Sequence, residues 1–219
     1  VELMAAEPTE QKVTLTTGDG FLNAETVLNK VGATYGQGKG AVAGRCLKIE
    51  DVEKYLSFNK NTYIEPEPHN SQYGDNVVYA TGYFYKEVRD NNGNITGYET
   101  NRTTAVDEDG KRVTMTQTSY AVSNAIKYCV NSIVYDMIFS DKTVWLASQA
   151  VRLNNNNTCN FYLRRLGTGK ITSGYLYSSN DSGTGNSSEK LPISIVVSLE
   201  NNIKTTGQDS NGVWQLNIN

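Results

Sequence analysis

Few side chains in this sequence are of the types, and at the spacings, that support catalysis or metal binding. Three cysteines, Cys46, Cys129 and Cys159, stand far apart with no CxxC pair, so neither a zinc knuckle nor a thioredoxin-like dithiol is encoded. They read as one disulfide with a spare thiol or, more simply, as three small buried residues. The single histidine, His69, lies beside Pro66 and Pro68 in a polar stretch, a poor place for a general base. No Gly-x-Ser-x-Gly elbow is present. Tyr35-Gly36-Gln37-Gly38-Lys39-Gly40 has the glycines of a phosphate loop, but it follows a predicted helix and lacks the Walker spacing, so it reads as a plain flexible loop. Leu166-Gly167-Thr168-Gly169-Lys170-Ile171 fails similarly, with Arg164 where the first glycine would stand and Ile171 where a Ser or Thr would. Asp107-Glu108-Asp109-Gly110 gathers carboxylates without the rest of a calcium loop and reads as a turn. No catalytic residue, metal ligand or cofactor is expected.

What the chain has in quantity is neutral hydrogen-bonding chemistry. Asparagine (24), threonine (22), glycine (19), serine (16) and tyrosine (14) fill 95 of the 219 positions, the composition of a polar surface on a β-rich scaffold. Asn91, Asn92 and Asn94 have a local reason, a hairpin turn; those between Asn154 and Asn186 have none. In that stretch tyrosine would supply rigid amphipathic contact area, and serine, asparagine and glycine adaptable hydrogen bonds. The candidate ligand-binding residues are Asn154, Asn156, Asn160, Tyr162, Arg164, Tyr175, Tyr177, Ser179 and Asn180, with Tyr and Arg as anchors. Against this stands a plainer reading, in which the stretch is merely solvated, because asparagine is spread along the whole chain.

A net charge of −3 and a pI near 5.3 exclude the basic footprint needed for nucleic acid or an anionic membrane. No apolar run approaches the roughly 18 residues of a membrane helix, and no basic start precedes an apolar stretch, so neither membrane insertion nor a signal peptide is expected.

The elements that must position the candidates follow from periodicity. Short strands are expected over Val1–Ala6 and Val13–Thr16. A helix from Phe21 to Val31 would be capped by Asp19 and stopped by Gly32. A shorter helix would run from Ile49 to Ser57, burying Ile49, Val52, Tyr55 and Leu56. Residues 77–120 form a β-meander: Val77–Val88, a turn at Asn91-Asn92-Gly93-Asn94, Ile95–Val106, a turn, and Val113–Thr118. From Val122 to Ile138 apolar residues recur at i, i+3, i+4 and i+7, which predicts one helix with Cys129 inside. Val144–Ser148 is a buried strand. In the next strand Phe161, Leu163 and Arg165 alternate with Tyr162, Arg164 and Leu166. Ser173–Ser188 reads as a surface loop pinned at both ends, Ile193–Leu199 as a central strand, and Asn202–Ile218 as a last hairpin.

Trp145-Leu146-Ala147-Ser148, then Phe161-Tyr162-Leu163-Arg164, then Leu191-Pro192-Ile193-Ser194-Ile195-Val196-Val197-Ser198-Leu199, is similar in order and spacing to bacterial and prophage surface proteins. Those proteins end in a C-type-lectin-like domain of the kind shared by formylglycine-generating enzymes and the variable proteins of diversity-generating retroelements. Arg45-Cys46-Leu47-Lys48-Ile49-Glu50-Asp51-Val52 and Tyr135-Asp136-Met137-Ile138 also resemble that group. Ser194-Ile195 depart from it, standing where an Arg-Pro pair is usual. The resemblance implies a single α+β domain over residues 1–219, with mixed antiparallel sheets, two to three helices, the 77–120 segment as an insertion and 144–199 as a ligand-display segment. It also implies adenine-directed rewriting of asparagine codons, and hence a diversified, non-catalytic recognition surface on a cell or phage particle. The partner would be a protein or glycan on another cell or phage. The enzyme branch needs a dedicated cysteine pair that Cys129 and Cys159 do not match. Metal-dependent sugar binding is disfavoured too, since the nearest motif, Glu65-Pro66-Glu67, lies in the wrong part of the chain. The alternative is a self-associating structural subunit of a pilus, filament or phage particle.

Overall fold

The computed structural model describes residues 2–5, 7–15, 20–21, 23–38, 40–64, 78–79, 84–92, 95–101, 114–115, 118–139, 141–154, 158–178, 189–201, 203–210 and 214–217. Within them the chain is α+β, with few helices and antiparallel sheets. The order is β1 (Glu2–Met4), β2 (Val13–Thr14), α1 (Ala24–Ala33), β3 (Ala41–Cys46), α2 (Ile49–Glu53), β4 (Val78–Tyr79), β5 (Phe84–Arg89), β6 (Ile95–Asn101) and β7 (Thr114–Met115). Then come α3 (Ser132–Ile138), β8 (Val144–Asn154), β9 (Thr158–Gly167), β10 (Lys170–Ser178), β11 (Lys190–Leu191), β12 (Ile195–Leu199), β13 (Lys204–Gln208) and β14 (Trp214–Asn217). Among the described residues no helix is long and apolar enough to cross a membrane.

The centre is the β10-β9-β8 sheet, two successive hairpins. Because strand side chains alternate, the sheet feeds two cores. Trp145, Ala147, Val151, Phe161, Leu163 and Leu176 pack with Phe21, Leu28 and Cys46 on one side. Val144, Leu146, Leu166 and Ile171 pack with Leu47, Val52, Val122 and Ile138 on the other. The β9–β10 turn, Thr168-Gly169, has Gly169 at φ +64, and its carbonyl accepts from the Ala125 N–H at 2.8 Å. That turn accounts for the second glycine-rich segment without any phosphate.

Beside it lies the β1-β12-β3 sheet, with β12 central as its apolar run predicts. Arg45 on β3 ties this sheet together: it donates to both oxygens of Asp51 on α2, at 2.6 and 3.1 Å, and to Glu2 on β1 at 3.2 and 3.4 Å. The bond from Arg45 holds the Glu2 carboxyl below its usual range. Burial opposes ionisation of Asp51, but bonds from Arg45 and from the Lys48 N–H outweigh it, so its carboxyl is held low as well. Carboxyls depressed on folding stabilise the protein above the ordinary carboxylate range near pH 4, and that contribution is lost as pH falls through the lower, folded values. The thermal midpoint of the wild type should therefore fall more steeply below pH 4 than that of Asp51→Asn, with the two curves converging in acid. Parallel curves would contradict this role for the clamp.

Several elements differ from expectation. Gly32 does not stop α1, which runs on to Ala33; it is there because a Cβ would sit 2.5 Å from the Arg45 carbonyl carbon of β3. Asp19 lies outside the described residues. The helix expected from Ile49 ends at Glu53, and Tyr55 is exposed, because Leu56 pairs with Cys129 instead of continuing a helical stripe. The single helix expected over 122–138 is broken: Val122 pairs with Ile171, Ala125–Tyr128 is a 3-10 turn, and only α3 is α-helical. Ile126 and Val130 are consequently exposed. In the 77–120 segment the described parts of the first strand are β4 and β5. β7 pairs with β4 while β5 pairs with β6, so the described strands form one hairpin enclosed by a second pairing and not a meander.

Of the three cysteines expected to be buried, the structure describes the side chains of two. Cys46 is fully buried, and burial pushes its thiol up to about 12, which makes it inert. Cys129 is half-buried, its thiol raised by the same cause. Cys159 lies in β9 in register with Leu153.

Candidate functional site

The expected binding residues that the structure describes fall on the β8–β10 sheet. Asn154 ends β8, in register with Thr158. Asn160 and Tyr162 lie on β9, Tyr175 and Tyr177 on β10. Asn156, Ser179 and Asn180 lie outside the described residues, as do His69 and the Glu65-Pro66-Glu67 motif.

Cross-strand pairing brings two of the candidates together. Tyr162 is directly opposite Tyr175, and cross-strand neighbours share a face of the sheet. Their rings are T-shaped, with centroids 5.5 Å apart and planes at 64°, the geometry aromatic quadrupoles prefer. Both side chains are half-buried. Asn160, two residues along, donates its Nδ2 to the Tyr162 hydroxyl at 3.4 Å. Tyr177 pairs with Phe161, because Leu176 is an extra residue in β10 and breaks the alternation with Tyr175.

Two residues that sequence reasoning passed over belong here. Arg152 on β8 is exposed and pairs with Asn160, so it extends the same face sideways. The signal was present, since Arg152 interrupts the apolar Val151 and Leu153 at strand period. Ser173, read as loop, is strand, and so is Gly174, where a Cβ would meet the Trp145 ring at 2.5 Å. β10 thus packs flat on Trp145 immediately before Tyr175. The loop expected over Ser173–Ser188 is therefore strand as far as Ser178, and the rest of that span lies outside the described residues. The two oxygens of Glu189, the next described residue, accept from Arg165 Nη1 at 2.6 Å.

Arg164 corrects an expectation. It shares a sheet face with Tyr162, but it is only 1% exposed and offers no surface anchor. Its Nη1 donates to the Tyr120 carbonyl at 2.7 Å and to Ser173 Oγ at 2.9 Å, and the guanidinium lies 3.9 Å over the Tyr120 ring. Burial pushes its pKa below the usual value, against the opposing pull of Tyr120 and Glu53. The segment at Thr118–Tyr120 crosses this face of the sheet and covers it. The covered part is core; beyond Arg164, Tyr162 and Asn160 are only half-buried, which leaves that end partly open.

Cavities of about 300 and 410 Å³ lie beneath β1 and beside Pro8 and Tyr35, and neither is lined by Asn160, Tyr162 or Tyr175. Comparison of the chain with known protein families, with curated proteins and with solved structures gives no match.

Proposed function

We propose that this chain is a non-catalytic, extracellular recognition module of C-type-lectin-like fold, on a cell surface or phage particle. It binds a protein or glycan ligand through the open end of the β8–β10 face. The observation that carries this reading is the Tyr162–Tyr175 pair, two half-buried rings in edge-to-face contact on paired strands, flanked by Asn160 and Arg152. The opposite side of the same strands is core, with Phe161, Leu163 and Trp145 fully buried. Rings set on so supported a sheet lose little freedom on binding, which favours affinity. Candidate side chains spread over three adjacent strands, Arg152 on β8, Asn160 and Tyr162 on β9 and Tyr175 on β10, suit a macromolecule better than a small molecule, whose sites are compact and concave. The fold reading draws on the α+β class and antiparallel sheets, and on the strand positions of Trp145-Leu146-Ala147-Ser148, Phe161-Tyr162-Leu163-Arg164 and Ile195–Leu199.

The experiment is a binding comparison after selection of a ligand from a displayed cell-surface protein library and a glycan array. Joint replacement of Tyr162 and Tyr175 by alanine should weaken binding at least about tenfold, the loss expected when central aromatic anchors are removed. Unchanged affinity for every selected ligand would sink the proposal.

A second reading, a subunit of a pilus, filament or phage particle, draws on exposed apolar side chains such as Val42 on β3, 61% exposed. Light scattering that finds a strict monomer at high concentration would count against it.

A further inference from the structure

We infer that Arg164 is the positioning residue of the Tyr162–Tyr175 pair, fixing the alignment of β9 and β10 at the point where the two rings stand. The inference rests on the recognition reading above and names what holds that face in shape.

Arg164 is two residues from Tyr162 along β9; its cross-strand partner Ser173 is two residues from Tyr175 along β10. Strand alternation puts all four on one face. A single nitrogen, Nη1, donates to Ser173 Oγ and to the Tyr120 carbonyl, so it ties β9 to β10 and both to the segment that crosses them. That segment is itself anchored. The N–H groups of Thr118 and Ser119 donate to the Val151 carbonyl at 2.9 and 3.0 Å, and the Tyr120 hydroxyl donates to Glu53 Oε1 on α2 at 2.6 Å. A continuous strut therefore runs from α2 through Tyr120 and Arg164 to Ser173, and ends one residue pair short of the rings.

The choice of residue argues for positioning over packing. Arg164 Nε and Nη2 are buried with no hydrogen-bond partner among the described residues. Buried unsatisfied donors cost stability, and an apolar side chain of similar volume in place of a buried charge often leaves stability unchanged or raises it. Methionine would fill the space, but it has no N–H to aim at Tyr120 and Ser173. What arginine adds is geometry, and that geometry is delivered beside Tyr162 and Tyr175.

The test is amide hydrogen exchange and ring-to-ring nuclear Overhauser contacts on the full chain without ligand, in Arg164→Met, Arg164→Lys and Ser173→Ala. In Arg164→Met, protection over residues 160–164 and 173–177 should fall about tenfold, the effect of losing a charge-assisted hydrogen bond, and the Tyr162–Tyr175 contacts should weaken. Protection at Leu28 and Val196 should stay unchanged, and Arg164→Lys should recover part of the local loss. A loss spread evenly over the domain, or no local loss, would overturn the inference. Should Arg164→Met not fold, Ser173→Ala removes one acceptor alone and must give a smaller loss at the same residues; an unchanged profile overturns the inference equally. These readouts need no ligand, so their failure is distinct from failure of the binding comparison with the two tyrosines replaced.

Discussion

Replacing Trp145 by alanine is expected to destabilise the protein by about 3–5 kcal/mol, the usual cost of deleting a large aromatic side chain from a core. Trp145 is fully buried and packs in the cluster that joins the central sheet to Phe21, Leu28 and Ile193. Its Nε1 donates to the Val13 carbonyl at 3.1 Å, which holds β2 against the sheet, and its backbone pairs with Ile193. Its ring is also the surface on which Gly174 rests. The cavity left by alanine would take support from β10 one residue before Tyr175, so the loss reaches the recognition face as well as the core. Against a domain stability of about 5–15 kcal/mol, this one change removes a large share. Urea unfolding followed by intrinsic fluorescence and circular dichroism checks it. Trp145→Phe should lie between alanine and wild type, because it keeps most of the apolar volume and loses the bond to Val13. A midpoint for Trp145→Ala equal to that of the wild type would mean that the ring is not a keystone of the first core.

The second large effect is expected at Gly36. Just past α1 the chain touches β3 backbone to backbone: a Cβ on Gly36 would lie 1.9 Å from the Gly44 nitrogen, and one on Gly44 would lie 2.4 Å from the Gly32 carbonyl oxygen. No side chain stands between them that could swing aside. Gly36→Ala must therefore push α1 away from β3, and the cost should reach or pass about 3 kcal/mol, the upper end of overpacking effects. For a domain of this size that corresponds to a fall of about 6–12 °C in the thermal midpoint. Gly38→Ala is an informative contrast, since nothing lies within 4 Å of its added Cβ and its penalty comes only from φ +77. If Gly36→Ala melted with the wild type, the close crossing of α1 and β3 would be wrong.

That crossing also measures how far the sequence could be read. The glycines at 32, 36 and 44 were visible, but a glycine demanded by a close approach looks the same in sequence as one that ends a helix or loosens a loop. The approach is set by a strand that follows the helix, and local pattern does not contain it. The segment from Val122 to Ile138 teaches the same lesson. Its apolar spacing fits a helix, yet Val122 finds better backbone partners on Ile171 and Leu56 pairs with Cys129, so tertiary pairing overrides the local period. By contrast β8, β9, β12 and the β13–β14 hairpin were legible, because their apolar runs or alternation leave one buried arrangement.

The candidate face was half legible. Tyr162 and Tyr175 were expected by residue type, and pairing sets them against each other. Arg164 has the right period and the wrong depth, since what buries it is Tyr120, 44 positions upstream. Ser173 and Gly174 were hidden by composition: polar and small residues read as loop until Trp145 supplies the surface they pack on. Tyr177 falls out of step through the extra residue Leu176, which no periodic rule anticipates.

The central claim, that ligand is met on the open end of the β8–β10 face, is tested most directly by one binding measurement with two arms. A ligand selected by the wild-type chain is titrated against Tyr162→Ala/Tyr175→Ala and, as a control at an exposed apolar residue of the β1-β12-β3 sheet, against Val42→Ser, with both variants first shown to be folded. The account predicts at least about a tenfold loss for the tyrosine variant and wild-type affinity for the control. Full affinity in the tyrosine variant, with loss at Val42, would contradict it.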